Sequence, residues 1–343
     1  MERSMTRADT AHAFIAANGW GDAQVRPLAG DASNRRYDRL TAPDGRRAVL
    51  MDAPPDKGED TKPFIAIAEW LTAQGLSAPR IYAKDTNAGF LLIEDLGDRL
   101  FAREMATAPE LQEPLYRAAV DVLVRIHTAT PPTLPRYEST VTVPLACLAF
   151  DWYQRGTTGT VDTVAKTRFS EAFAPVMAAL DETLTVLIQR DFHAENLLWL
   201  PDRAGAARVG LLDFQDAMIG HPSYDLVSIL QDARRDVPNT IQTTMKRQYA
   251  TATGTPAESF DAAYAVFGLQ RSLRILGVFA RLCLRDNKAH YVDLLPRVWE
   301  QMESNLEHPA TAHLRSLIAG TLPAPDAKAL DELKRKSGSC AGL

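Results

Sequence analysis

The sequence predicts an α+β protein, with a small sheet-rich lobe at residues 1–96 and a larger helical lobe at residues 97–343, joined near Glu94–Gly97. Three observations lead there. Before Gly97, short runs of strand-forming residues are broken by Gly, Asn and Pro. After it, apolar residues recur at helical spacing over long stretches. Only two strand-like runs, "TVLIQR" and "RVGLLDF", interrupt those helices.

In chain order, a short amphipathic helix ends near Asn18-Gly19. "AQVRPLAG" and "RRYDRL" read as strands around the turn "GDASN", and "RRAVLMDA" as a third that Pro54 and Pro55 end. "TKPFIAIAEWLTAQGL" has helical periodicity and a stop at Gly75. "APRIYAKD" and "GFLLIED" make a hairpin over "TNA". Further helices are expected over residues 110–128, 164–180, 223–234, 239–252, 258–284 and 293–306. The tail from Pro323, ending "KRKSGSCAGL", reads as frayed and without chemistry.

The chain has 343 residues, enough for two lobes. Its hydrophobic content of 46% and charged content of 24% are those of a soluble globular protein. A net charge of -5 disfavours nucleic acid and anionic membranes as partners. No apolar stretch is long enough to span a bilayer, and the N-terminus lacks a secretory pattern, so a cytoplasmic monomer is expected. The three cysteines are widely separated and form no C-x-x-C pair, which argues against a disulfide framework or a zinc ribbon.

Chemistry concentrates in "LIQRDFHAENLLWL", residues 187–200, where Arg190, Asp191, His193, Glu195 and Asn196 crowd between two apolar runs. Asp191 and Asn196 have the D-x-x-x-x-N spacing of a phosphoryl-transfer loop, in which the aspartate takes the attacking hydroxyl's proton and the asparagine ligates Mg²⁺. A second metal ligand should be a carboxylate ending a nearby strand. Asp213 in "LLDFQD", 17 residues after Asn196, meets that need. Hard oxygen donors suit Mg²⁺ better than zinc. Any one of these residues alone could simply cap a turn; the ordered set between apolar strands points to catalysis.

With "RDFHAENLL", "LLDFQDAMIGHPSYDL" and "GDASNRRYDRL" together, the chain resembles the aminoglycoside phosphotransferase and choline kinase group of kinase-like enzymes over nearly its whole length. "VLMDAPP", "FDWY" and "LQRSLRILGVFARLCLRD" are similar to one branch, the bacterial cell-wall-recycling kinases that phosphorylate the anomeric hydroxyl of N-acetylmuramate or N-acetylglucosamine. The resemblance implies a two-lobed protein-kinase-like fold, ATP and Mg²⁺ as cofactors, and an amino-sugar acceptor. It makes Asp191 the base and Asn196 and Asp213 the metal ligands. It lays the turn holding Ser33, Asn34 and Arg35 over the phosphates, and pairs the backbone of Glu94–Leu96, as interlobe hinge, with adenine. Asp225 braces the catalytic loop, and His193 orders that loop rather than binding metal, since no second histidine stands at metal spacing.

Two departures stand out. Gln189 replaces a histidine of the wider group. Met51 takes the place of the strand lysine that holds the α/β-phosphates, and Phe64 or Ile65 that of its helix glutamate. Losing both partners avoids a stranded buried charge, and Arg35 and Arg36 are the nearest candidates to balance the phosphates.

For the acceptor, Arg271, Arg274, Arg281 and Arg285 form a stripe that is either a solvated helix face or the source of one arginine gripping an acidic substrate. Asp151, Trp152 and Tyr153 are either core or a platform for a sugar ring, and Glu195 and His193 complete the candidate substrate residues. Other small-molecule kinase acceptors (an aminoglycoside, a choline-like alcohol, a hydroxylated amino acid) stay open, as does a non-catalytic binding module.

Overall fold

The computed structural model describes residues 6–28 and 34–342. Among these the chain runs through α1 (Arg7–Ile15), β1 (Gln24–Pro27), β2 (Arg36–Thr41), β3 (Arg47–Asp52), α2 (Lys62–Ala73), β4 (Ile81–Asp85), β5 (Phe90–Glu94), α3 (Phe101–Thr107) and α4 (Gln112–His127). It continues with α5 (Ser139–Leu148), α6 (Arg155–Thr158), α7 (Thr163–Ala178), β6 (Val186–Ile188), β7 (Leu197–Trp199), β8 (Val209–Leu211), β9 (Met218–Gly220) and α8 (Ser223–Leu230). The last helices are α9 (Asn239–Thr253), α10 (Ala257–Leu284), α11 (Leu295–Asn305), α12 (Pro309–Ala312), α13 (Arg315–Ala319) and α14 (Ala327–Arg335). Sheet-rich first and helical afterwards, the chain is α+β as expected.

Packing groups the residues into two compact units, one up to Ile126 together with Ala194–Ala217, the other His127–His193 together with Met218 onward. The division at residues 96 and 97 follows element type, whereas this grouping follows contacts and keeps Glu94–Leu96 inside the first unit.

In the first unit five antiparallel strands pair in the order β1-β2-β3-β5-β4. β3 lies at the centre and is buried from Ala48 to Asp52, so it reads as a continuous apolar run rather than an alternating one. Edge strands β1 and β4 carry the exposed residues. Leu40, Ala48, Leu50, Phe90 and Leu92 pack with Ile15 and Trp20 from the N-terminal helical segment. Arg7 fastens α1 there, donating from Nε to Asp52 Oδ1 at 2.8 Å and from Nη2 to the Ala88 carbonyl at 3.0 Å. In α2, Phe64, Ile67, Ala68 and Leu71 are buried at one-face spacing, and Gly75 follows the helix at a φ of 77°.

The second unit is built round α10, whose 28 residues pack on α5, α8 and α11. Gly277 allows the close approach to α5, since a Cβ there would meet the Leu148 carbonyl carbon at 2.3 Å. The tail is not frayed. Asp326 caps α14 by accepting from Ala329 N at 2.8 Å, and Leu333 is fully buried. Beyond it, Gly338 N and Cys340 N donate to the carbonyls of Cys283 and Leu284. The largely polar run before "KSGS" hid a helix in which Ala329 and Leu333, four residues apart, make the buried face.

Candidate functional site

The stretch from Gln189 to Asn196 crosses from the second unit to the first after His193. Its start is set by β6, which pairs with β9, and by Asp225 in the first turn of α8. The fully buried Asp225 carboxylate accepts from Gln189 N at 2.6 Å and Arg190 N at 3.0 Å. These bonds hold Arg190 at a φ of 71°, a left-handed conformation that costs a non-glycine residue energy and here re-aims the chain just before Asp191. The bracing role expected of Asp225 is thus visible in its contacts. Burial pushes its carboxyl up to about 7, against the pull of those two backbone bonds and Arg271. Gln189, standing where a histidine was expected, is buried, and its Nε2 has no hydrogen-bond partner.

Asp191 is surrounded by cations of its own unit. Burial opposes its ionisation, but Arg274 and Arg271, with His193 and Arg190, outweigh it and hold the carboxyl below its ordinary range. Burial itself keeps His193 neutral, with a value of about 4, so near pH 7 the arginines hold Asp191 charged. Arg274 donates from Nη1 to the Tyr224 hydroxyl at 3.2 Å, Tyr224 meets the Tyr137 hydroxyl at 3.2 Å, and the Arg190 guanidinium lies over the Tyr137 ring at 5.6 Å. Neither tyrosine could be singled out in the sequence, because only folding brings residues 137, 190, 224 and 274 together. Glu195 is exposed.

In the first unit, the antiparallel β7–β8 ribbon pairs Leu197 with Leu211 and so delivers Asn196 and Asp213 to one end. Asn196 Nδ2 lies 3.4 Å from Asp213 Oδ2, and Gln215 Nε2 donates to Asp213 Oδ1 at 2.6 Å. Asp213 also holds a left-handed conformation, at a φ of 56°. Mg²⁺ takes one or two protein oxygens and fills its octahedron with water and phosphate oxygens. The pair fits that habit, with the Asn196 amide turned to present Oδ1. No group of three or more His, Cys, Asp or Glu suited to a metal occurs among the described residues.

Elsewhere the expected residues meet different ends. Ser33 lies outside the described residues. Asn34 N and Arg35 Nε both donate to Glu59, at 3.0 and 2.8 Å, a carboxylate that sequence reasoning passed over. Arg36 pairs with Asp52 at 3.2 Å. Met51 is fully buried, and Phe64 stacks on Phe214 with ring centroids 5.0 Å apart, so the lysine and glutamate positions are apolar as read. Glu94 accepts from Arg203 Nη2 at 2.7 Å, and Leu96 is buried.

Tyr153 must be corrected. It is fully buried, donates to the Pro323 carbonyl at 2.7 Å and offers no face to a sugar, because the tail and Trp299 pack over it. Asp151 is paired with Lys166 at 2.7 Å, and Trp152 is half-buried. The arginine stripe is not one surface. Arg271 is buried and Arg274 half-buried, which argues against a solvated face at that end, while Arg285 lies past the end of α10 and pairs with Asp286.

A phosphotransferase enzyme family model matches residues 24–265. The chain belongs to the phosphotransferase enzyme family. This phosphotransferase is 38% identical to the N-acetylmuramate/N-acetylglucosamine kinase of Caulobacter vibrioides, across 94% of this chain and 99% of that one. It is 34% identical to the kinase of the same name from Pseudomonas aeruginosa, across 89% of this chain and 92% of that one. Solved structures share its fold. One is a choline/ethanolamine kinase family protein from Mesorhizobium loti, at a TM-score of 0.60 and 14% identity over 96% of this chain and 100% of that one. Another is the ADP-bound aminoglycoside phosphotransferase APH(2'')-Ib, at 0.58 and 13% over 87% and 99%. No helix among the described residues is long and apolar enough to cross a membrane.

Proposed function

We propose that this phosphotransferase uses ATP and Mg²⁺ to phosphorylate the anomeric C1 hydroxyl of N-acetylmuramate and N-acetylglucosamine, within bacterial cell-wall recycling. The observation that carries the reading is the end-to-end likeness to relatives that bear this kinase name. Asp191 accepts the C1 hydroxyl proton. Held ionised by Arg274 and Arg271, it is a weak base, which suits an anomeric hydroxyl because that group is more acidic than other sugar hydroxyls. Asn196 and Asp213 hold Mg²⁺, which supplies charge neutralisation on the transferred phosphoryl group. Asn34, Arg35 and the backbone of Glu94–Leu96 serve the nucleotide, with residues 1–96 as the nucleotide lobe and 97–343 as the catalytic and sugar-binding lobe. The rest of catalysis is positioning.

The experiment is ATP consumption against a panel of amino sugars, aminoglycosides and choline, followed by phosphorus NMR of the product. A phosphorus signal coupled to the anomeric proton is expected. A 6-phosphate, or turnover only with aminoglycoside or choline, rejects the proposal.

A further inference from the structure

The carboxylate that separates the two proposed sugars needs a cation, and α10 supplies four arginines to choose among. We infer that Arg271 receives the lactyl carboxylate of N-acetylmuramate and is the residue that distinguishes it from N-acetylglucosamine; this rests on the kinase reading above.

Arg271 is only 5% exposed. Its Nε is shut off from solvent and has no hydrogen-bond partner among the described residues. A guanidinium has five N–H donors and no way to lose its charge, so burying one unbonded is costly unless an anion arrives to meet it. Asp191 and Asp225 lie within its electrostatic reach and temper that cost.

Two of the other three arginines have partners. Arg274 donates to the Tyr224 hydroxyl. Arg285 is chelated to Asp286 through Nε and Nη2. Arg281 shares the buried, unpartnered Nε, but it is only half-buried, is not among the cations acting on Asp191, and stands roughly 15 Å along the helix axis from Arg271.

Arg271 also packs in the same unit as Asp191, the group proposed to take the acceptor's proton. A cation there belongs with the acceptor. N-acetylmuramate and N-acetylglucosamine differ by a lactyl ether whose one charge is a carboxylate, and the planar guanidinium fork matches a carboxylate in two-point contact. With N-acetylglucosamine the fork stays unmet, so that sugar is accepted but bound less tightly.

The test compares kcat and KM for both sugars in the wild-type protein, Arg271→Met and Arg271→Lys, adding the methyl ester of N-acetylmuramate as a neutral acceptor. Arg271→Met removes a buried charge at similar volume, which commonly leaves folding intact. The ratio of kcat/KM for N-acetylmuramate over N-acetylglucosamine should fall roughly ten- to hundredfold in Arg271→Met, through KM, with partial recovery in Arg271→Lys. Wild type should favour the acid over its ester, and Arg271→Met should not. The ester comparison in wild type stands even if a variant does not fold. A loss of kcat shared by both sugars with an unchanged ratio of kcat/KM would leave Arg271 only the work of keeping Asp191 ionised and overturn the clamp, as would acid and ester behaving alike in wild type. A wild-type protein inactive on both sugars would instead remove the kinase reading, before any variant is compared.

Discussion

At the residue scale, the charge state of Asp191 is decided by a contest between burial and arginine. Arg274 and Arg271 win it, so the proposed base is present as carboxylate at neutral pH. Asp191→Asn keeps the shape and loses the proton acceptor. Its turnover should fall by roughly 10²–10⁴-fold in a coupled ATP assay while its melting temperature changes little; a variant that keeps the wild-type rate would end the assignment. Asn196 and Asp213 make a different prediction because their proposed work passes through the metal. Changing either to Ala should raise the Mg²⁺ concentration for half-maximal rate, since a hard-cation site loses an oxygen. An Mg²⁺ titration unchanged in both variants would place the metal elsewhere.

At the element scale, β3 and α2 show how an ion pair is dispensed with. Met51 is fully buried in the central strand, and the buried Phe64 of α2 stacks on Phe214, next to Asp213. An apolar contact therefore links α2 to the segment of the candidate metal ligand, where the wider group is expected to use charge. Putting lysine back alone, as Met51→Lys, would strand an ammonium group in that interior. It should cost on the order of 3–5 kcal/mol of stability in urea denaturation. A stable, more active Met51→Lys protein would show that a carboxylate stands ready for the lysine and that the apolar reading of α2 is mistaken.

At the scale of the whole molecule, acid should unfold the protein sooner than its surface charge suggests. His127, His193 and His221 are buried and neutral, with values near 3, 4 and 4 that burial sets. Unfolded histidine protonates near 6.5, so between about pH 6.5 and 4 the unfolded state binds more protons and stability falls as pH falls. Asp225 acts the other way. Its native carboxyl, at about 7, takes a proton in that window which the unfolded aspartate, near 3.9, does not. Three groups against one leave a net loss of at most on the order of 3 kcal/mol per pH unit. The urea midpoint should drop between pH 7.5 and 5.5; one that holds or rises at 5.5 contradicts this balance. All four groups belong to the second unit, so the loss should begin there.

The sequence by itself determined the α+β class, most of the long helices and the five strands of the sheet, and it singled out Asp191, Asn196 and Asp213 as the candidate site. These rest on short-range pattern: periodicity, turn residues and a spacing that a single loop and ribbon preserve. It also showed the missing lysine, since Met51 and Phe64 are apolar whatever surrounds them. Other features depended on residues distant in the chain. Tyr153 and the arginine stripe were ambiguous because an aromatic or a guanidinium reads the same on a surface, in a core or beside a carboxylate. Packing against Pro323 and Trp299 sent Tyr153 inward, and α10 carried Arg271 and Arg274 into the field of Asp191. The left-handed backbone at Arg190 and Asp213 was equally invisible, for neither residue asks for it. It is held at Arg190 by Asp225, 35 residues away, because two N–H groups there find a buried acceptor in that carboxylate.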